Sequence, residues 1–331
     1  MVSSPIRSTD IRAPAHKRAS RPLIVVGGPT ASGKSALALR IAESFGGVVI
    51  NADSMQVYRE LRILTARPSA ADEARAPHRL YGILPVRELC SAGRWRDLAV
   101  EAVAAAWAAG AVPVVVGGTG LYLRALREGL SPIPDVPPAC REAARALLAE
   151  IGNEAFHTRL GERDPVMVAR LHPGNSQRLV RAWEVLDATG RSLADWQAVP
   201  ASGGVDAAVL SLVLTPPRQE LYAACDARFL RMMEEGALDE VAAVDALGLD
   251  PALPALKALG MPALRALLRG AIRHEEAVAE AQQATRNYAK RQLTWFRHQL
   301  PAAHHMEAKF SESLWRETFP IIRQFLLTNE S

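Results

Sequence analysis

The sequence predicts an α/β fold in which a P-loop parallel sheet is covered by helices and carries an all-helical insertion domain. Three observations predict it. The apolar run Leu23–Val26 leads directly into GGPTASGKS, Gly27–Ser35. Strand and helix signals then alternate as far as Arg127, the order expected of a parallel sheet with crossover helices. A proline-rich break, GLSPIPDVPP at Gly129–Pro138, opens a stretch with helical signals alone, before AAVLSLVL at Ala207–Leu214 returns to strand.

The elements follow in order. Leu23–Val26 reads as a buried strand and Lys34–Phe45 as the helix after the glycine loop. VVIN, Val48–Asn51, is a second strand, and Leu80–Leu84 a weaker third. Arg94–Ala109 has helical periodicity, with Gly110 as its stop. VPVVVGGTG, Val112–Gly120, runs from strand to glycine turn, and a helix follows to Arg127. From Ala139 to Trp196 the pattern is helical, with starts at Asp164-Pro165 and Asn175-Ser176 and a stop at Gly190. PASGG, Pro200–Gly204, closes this insert. After Ala207–Leu214 the chain is mostly helical, with a short strand at His304–Met306. The domain reading is therefore a disordered basic tail over 1–20, a P-loop core over 21–130 and 201–331, and a helical insertion domain over 131–200. The tail carries Pro5 and Pro14 and lacks the apolar stretch of a secretory signal; an organellar targeting peptide or a nucleic-acid-contacting arm are its alternatives.

Composition narrows the function classes. The 331 residues are 49% hydrophobic, enough for a large core, yet no apolar run approaches bilayer length, so a soluble protein with no membrane partner is expected. Cys90, Cys140 and Cys225 lie far apart with no CxxC spacing, which argues against a disulfide framework or zinc site and fits the cytoplasm. A net charge of +4 permits a polyanionic partner without demonstrating one.

The chemistry starts at the loop. Gly28, Pro29, Thr30, Ala31, Ser32, Gly33, Lys34 and Ser35 match G-x-x-x-x-G-K-[ST] between strand and helix. Such a loop turns its backbone N–H groups on phosphate oxygens, the helix N-terminus adds partial positive charge, Lys34 a full charge, and the Ser35 hydroxyl a ligand for Mg2+. A nucleotide hydrolase or kinase normally keeps a second acid at another strand end. Here the strand Val112–Val116 ends in GGTG instead, and the nearest acid is Asp53, in NADSMQVY. Asp53 is a candidate base or metal partner; the bland alternative is a helix cap before Ser54–Tyr58. Two basic surfaces lie elsewhere. Arg286, Lys290, Leu293 and Arg297 recur on one helical face, with Tyr288, Gln292, Trp295 and Phe296 on the other. In the insert Gln177, Arg178 and Arg181 cluster, with Arg170 before them and Leu179, Ala182, Trp183 and Leu186 facing inward. Together these suit a long polyanion.

GPTASGKS, NADSMQVY, VVVGGTGLYLRAL, GLSPIP, QRLVRAWEV and AKRQLTWFR, in that order from Leu23 to Arg297, resemble the tRNA dimethylallyltransferases. The resemblance implies transfer of a dimethylallyl group from dimethylallyl diphosphate to N6 of the adenine 3′ of the anticodon, with diphosphate leaving. It implies Asp53 as general base, Lys34 and Arg228 on the leaving group (Arg218 as a weaker match), and Thr119 at the acceptor nucleotide. It further implies tRNA contacts from Asp53, Ser54, Met55, Gln56, Thr119, Arg141, Gln177, Arg178, Leu179, Val180, Arg181, Lys257, Gly260, Lys290, Arg291, Gln292 and Arg297. Mg2+ on Ser35 is the implied cofactor, and a monomer the implied state. The adenine must be turned out of its stack to be reached. LKALGMPAL departs from the pattern: Gly260 is kept, but Met261-Pro262 replace the usual pair, with Lys257 as a compensating contact. Adenylate isopentenyltransferases, a small-molecule P-loop kinase and a non-catalytic RNA-binding protein are the competing readings.

Overall fold

The computed structural model describes residues 21–300 and 303–329; the basic tail expected over 1–20 lies outside them. Six strands, β1 (Pro22–Gly27), β2 (Gly47–Asn51), β3 (His78–Arg79), β4 (Val112–Gly117), β5 (Ala208–Leu214) and β6 (His304–Met306), form one parallel sheet in the order β3-β2-β4-β1-β5-β6. The central strand shows why it is apolar throughout. Leu23 and Val25 enter the core on one face, Ile24 and Val26 the core on the other, and all four are fully buried.

Helices α1 (Lys34–Phe45) and α13 (Glu312–Asn329) cover one face. Near the β3 edge lies the short α2 (Ala70–Arg75), closed by a Ser69–Asp72 capping box. On the other face pack α3 (Ala92–Ala108), α4 (Gly120–Glu128), α9 (Arg218–Glu234), α10 (Ala237–Asp245), α11 (Met261–Leu268) and α12 (His274–Gln299). The third strand is shifted from its expected place. β3 is His78–Arg79, and Leu80 leaves it with φ 65°, so Leu80–Leu84 is a bent segment joined to Tyr58 by a bridge at Leu84. A backbone in the left-handed region cannot continue a ladder.

Between α4 and β5 the chain forms α5 (Pro138–Arg163), bent at Gly152, then α6 (Pro165–Val168), α7 (Ser176–Thr189) and α8 (Leu193–Ala198). The cap residues work as their chemistry dictates: Asp164 accepts from the Met167 N–H and Asn175 from the Arg178 N–H. These helices bury their own core, with Phe156, Leu160 and Leu179 fully inside. Phe156 and Trp183 meet at 5.1 Å, and Arg163 covers the Trp183 ring at 4.6 Å. Among the described residues no helix is long and apolar enough to cross a membrane.

Because Phe156 anchors this second core, Phe156→Ala is expected to cost about 3–5 kcal/mol. The loss is read as a lower denaturant midpoint, with amide exchange accelerated first in α5 and α7.

Candidate active site

The P-loop leaves the end of β1 and enters α1 at Lys34. Its conformation is held from outside. Ala31 sits at φ 64°, a conformation costly for a residue with a Cβ, and Thr30 beside it is gripped at three atoms. Its N–H donates to Gln292 Oε1 at 2.8 Å, its hydroxyl accepts from Arg228 Nη2, and its carbonyl meets the Cys225 thiol at 3.9 Å. Opposite, the Phe310 N–H donates to the Ser32 carbonyl at 3.2 Å. All four partners lie far along the chain from the loop they shape.

Lys34 donates to the Pro29 carbonyl at 3.3 Å. Burial pulls its ammonium down to about 8, Asp53 pulls the other way, and Arg228 adds to the lowering. Burial likewise lowers the Arg228 guanidinium. Two half-buried cations thus stand beside the loop, an arrangement that favours an incoming polyanion.

The β2 end supplies the acid. Asn51, fully buried, accepts from the Asp53 N–H at 2.8 Å and donates to the Asp53 carbonyl at 3.0 Å and to Leu80 at 3.1 Å. The Asp53 carboxylate accepts from the Met55 N–H at 2.9 Å, and no helix starts there. Thr119, at the β4 end, accepts the Ser54 N–H at 3.0 Å and donates to the Ser54 hydroxyl at 3.3 Å. Tyr81 and Tyr288 are pushed up, by burial first and with the Asp53 charge adding to it; Tyr122 is pushed up by burial and by Cys90. Asp53 therefore sits at the same strand-end site as Lys34 and Arg228, half-buried rather than packed into the interior.

The missing acid after β4 now has a physical reason. A Cβ at Gly118 would collide with the Gln292 amide, and one at Gly120 with the Trp295 ring. Gln292 Nε2 donates to the Gly118 carbonyl at 2.9 Å, so a helix from the far end of the chain occupies the place of a metal-binding carboxylate.

Two cavities flank the loop. One, of about 410 Å3, is lined by Ser35, Arg40, Arg67, Arg75 and Tyr81 together with Asp72 and Glu312; the other, of about 290 Å3, by Arg62, Arg67, Arg228 and Arg231 against the single acid Glu235. Arg67 borders both, and its Nε, like the Ser32 hydroxyl, is buried without a hydrogen-bond partner. A groove of about 930 Å3 runs between α4 and the insert, lined by Arg124, Arg141, Arg145 and Arg181, with its rim at Leu121, two residues from Thr119.

The expected acceptor contacts divide into two groups. Gln177, Arg178, Lys257, Lys290, Arg291 and Arg297 are exposed, Arg141 and Val180 half-buried, and Arg181 is paired with Glu184 at 2.9 Å. Ser54 and Met55 lie in the turn beside Thr119, while the Gln56 amide is committed to the Thr65 and Ala66 carbonyls. Three expected contacts turn inward instead. Leu179 is fully buried in the insert, Gln292 is 5% exposed with its amide spent on the P-loop and Gly118, and Gly260 is packed against Phe229 and Leu64. In the same region Met261 is buried while Pro262 is exposed. The proposed basic stripe is also thinner, since Arg286 is clamped on Asp226 at 2.6 Å and Leu293 packs with Ala31 and Cys225. Arg218 is occupied with Tyr222 at 2.9 Å. Asn51, Arg67 and the two backbone partners of Gln292 escape sequence reading, because they depend on contacts distant in the chain.

Comparisons with known proteins agree on one family. The model of the IPP transferase family matches residues 56–299. The tRNA dimethylallyltransferase of Paramagnetospirillum magneticum is 60% identical over 93% of this chain and 98% of its own. That of Rhodospirillum centenum is 63% identical over 86% and 91%. Among solved structures, the full-length tRNA isopentenylpyrophosphate transferase from Bacillus halodurans superposes with a TM-score of 0.67 at 30% identity, covering 93% of this chain and 98% of that one.

A lysine that titrates near 8 in the free protein makes a directional expectation. The protonated form grips the anion, so affinity for inorganic diphosphate falls about tenfold per pH unit above 8. Lys34→Arg, charged throughout this range, loses that alkaline limb; calorimetric titration from pH 7 to pH 10 reads both.

Proposed function

The chain belongs to the IPP transferase family of tRNA dimethylallyltransferases, and on that premise we propose how its own residues divide the work. It is a prenyltransferase that moves a dimethylallyl group onto an adenine of tRNA near the anticodon. The donor in this proposal is dimethylallyl diphosphate, held with its diphosphate in the loop Gly28–Ser35. The N6 amine of the adenine attacks the allylic carbon, the carbon–oxygen bond breaks, and its electron pair leaves with diphosphate. Asp53 accepts the proton that the amine sheds. Lys34, Arg228 and the loop N–H groups take up the charge that develops on the leaving oxygens.

The single observation that carries the reading is the convergence of half-buried Lys34 past the end of β1, Asp53 past the end of β2 and Arg228 reaching in from α9. Thr119 fits a role in placing the acceptor, because it fastens the Asp53–Ser54 turn beside the groove. Mg2+ suits the donor set: the exposed Ser35 hydroxyl at the head of α1 supplies one hard oxygen, and Mg2+ draws most of its remaining ligands from substrate phosphates and water. Bound there, it would neutralise diphosphate charge. Among the described residues no cluster of three or more His, Cys, Asp or Glu competes for it.

For the acceptor, residues 131–200 act in this proposal as an insertion domain that grips the anticodon stem-loop from one side, through Gln177, Arg178 and the arginine-lined groove. Lys290, Arg291 and Arg297 of α12 grip it from the other. Lys257 lies exposed beside Met261-Pro262 and offers a further cation. The groove favours a macromolecular acceptor over free AMP, and the glycine turn after β4 disfavours a kinase. The reading extends to a cytoplasmic monomer.

The test supplies labelled dimethylallyl diphosphate and Mg2+ with unmodified tRNA, with AMP, or with ATP alone. Label in tRNA alone is expected; label in AMP, or ATP consumption without prenyl transfer, overturns the reading. Asp53→Ala is expected to lower turnover by about 10²–10⁴-fold while tRNA binding is kept; weakened binding with unchanged turnover at saturation removes Asp53 as the base. Arg178→Ala should weaken tRNA affinity and lower the slope of log affinity against log salt by about one.

A further inference from the structure

Gln292 lies on the inner side of α12, whose outer side presents Lys290, Arg291 and Arg297 to solvent. Its carboxamide is spent on two backbone groups. Oε1 accepts the Thr30 N–H at 2.8 Å and Nε2 donates to the Gly118 carbonyl at 2.9 Å. The first bond fixes the P-loop beside the left-handed Ala31. The second fixes the turn whose next residue, Thr119, holds Ser54 and so the turn that carries Asp53. The side chain is 5% exposed, too deep to touch a macromolecule. The flanks are Trp295 and Phe296 on the same helix, with Leu293, Ala289 and Cys225 beside Ala31; the charged and titratable groups nearby are Arg228 on the Thr30 hydroxyl, Lys34 on the Pro29 carbonyl, and Tyr288 one turn back on α12.

We propose that Gln292 is a positioning residue that sets the distance between the diphosphate cradle and the base-bearing turn, and that α12 thereby couples the acceptor-facing surface to the donor site. An amide suits the task where neither a carboxylate nor a lysine does. At neutral pH it presents an acceptor and a donor on one planar group, matched here to an N–H and a carbonyl that belong to different loops. Each buried partner would otherwise be left unpaired in an apolar setting. The Gly118 backbone comes so close to the amide that no side chain fits between them, which makes the link a short, direct one. The proposal rests on the donor and base assignments above but is separable from them, because loop geometry can be read by diphosphate alone.

Two variants test it. In Gln292→Met both bonds are lost. Its kcat/KM for the prenyl donor is expected to drop roughly 100-fold, the scale of an ångström-sized misplacement, and its affinity for inorganic diphosphate with Mg2+ is expected to fall, while tRNA affinity by filter binding stays within about twofold of the parent. In Gln292→Glu the ionised carboxylate keeps the Thr30 bond but faces the Gly118 carbonyl with a lone pair. Once protonated, it restores both bonds. Burial raises a carboxyl's titration point, so activity relative to the parent enzyme at the same pH is expected to climb at least about tenfold between pH 8 and pH 6. A merely structural role would not produce that climb. A flat ratio across pH overturns the proposal, as does a Met variant that loses tRNA affinity with donor kcat/KM intact, or one unchanged in both. Should Gln292→Met fail to fold, the pH ratio of Gln292→Glu decides alone. Failure of the parent protein to bind diphosphate would instead count against the P-loop assignment.

Discussion

The constraint on which the site depends is the pinning of Thr30. A loop built to wrap phosphates is rich in small residues and has little core of its own to hold it. Here its backbone N–H, hydroxyl and carbonyl are each taken by a residue from α9 or α12, some 200 to 260 positions away. The C-terminal helices therefore determine the shape of the first loop, and Ala31 is kept at a positive φ because its neighbours leave it no alternative.

The same helices set the electrostatics. Arg228 hangs over the loop from α9, and its burial, with that of Lys34, keeps both cations partly stripped of water. Charges held this way cost stability in the free protein and return it when an anion arrives, since little reorganisation remains to be done. Asp53 is the counterweight. Its backbone is braced on both sides by Asn51, and its half-buried charge acts on Lys34 and Arg228 alike.

The glycines after β4 belong to the same design. What reads in the sequence as an absent acid is space for α12, which fills it with an amide and an indole. This ties the two ends of the chain together across the sheet and puts the exposed cations of α12 on the reverse of the helix that fastens the donor loop.

The sequence alone determined the parallel sheet and the helices that cover it. Local signals suffice for these: α1 spans Lys34–Phe45 and β6 spans His304–Met306 as read, and Asp164, Asn175 and Gly190 bound helices as their caps dictate. It also marked Lys34, Asp53, Thr119 and Arg228 through the resemblance. The strand expected at Leu80–Leu84 failed because positive φ at Leu80 and Gly82 outweighs the apolar residues around them. Only the tertiary structure decided what Gln292 and Arg286 bind. Helical periodicity sets Leu179 and Gln292 on inward faces, but a polar or basic side chain carries no local signal for its partner. That is set by what stands opposite: a free N–H and carbonyl for Gln292 and a carboxylate for Arg286.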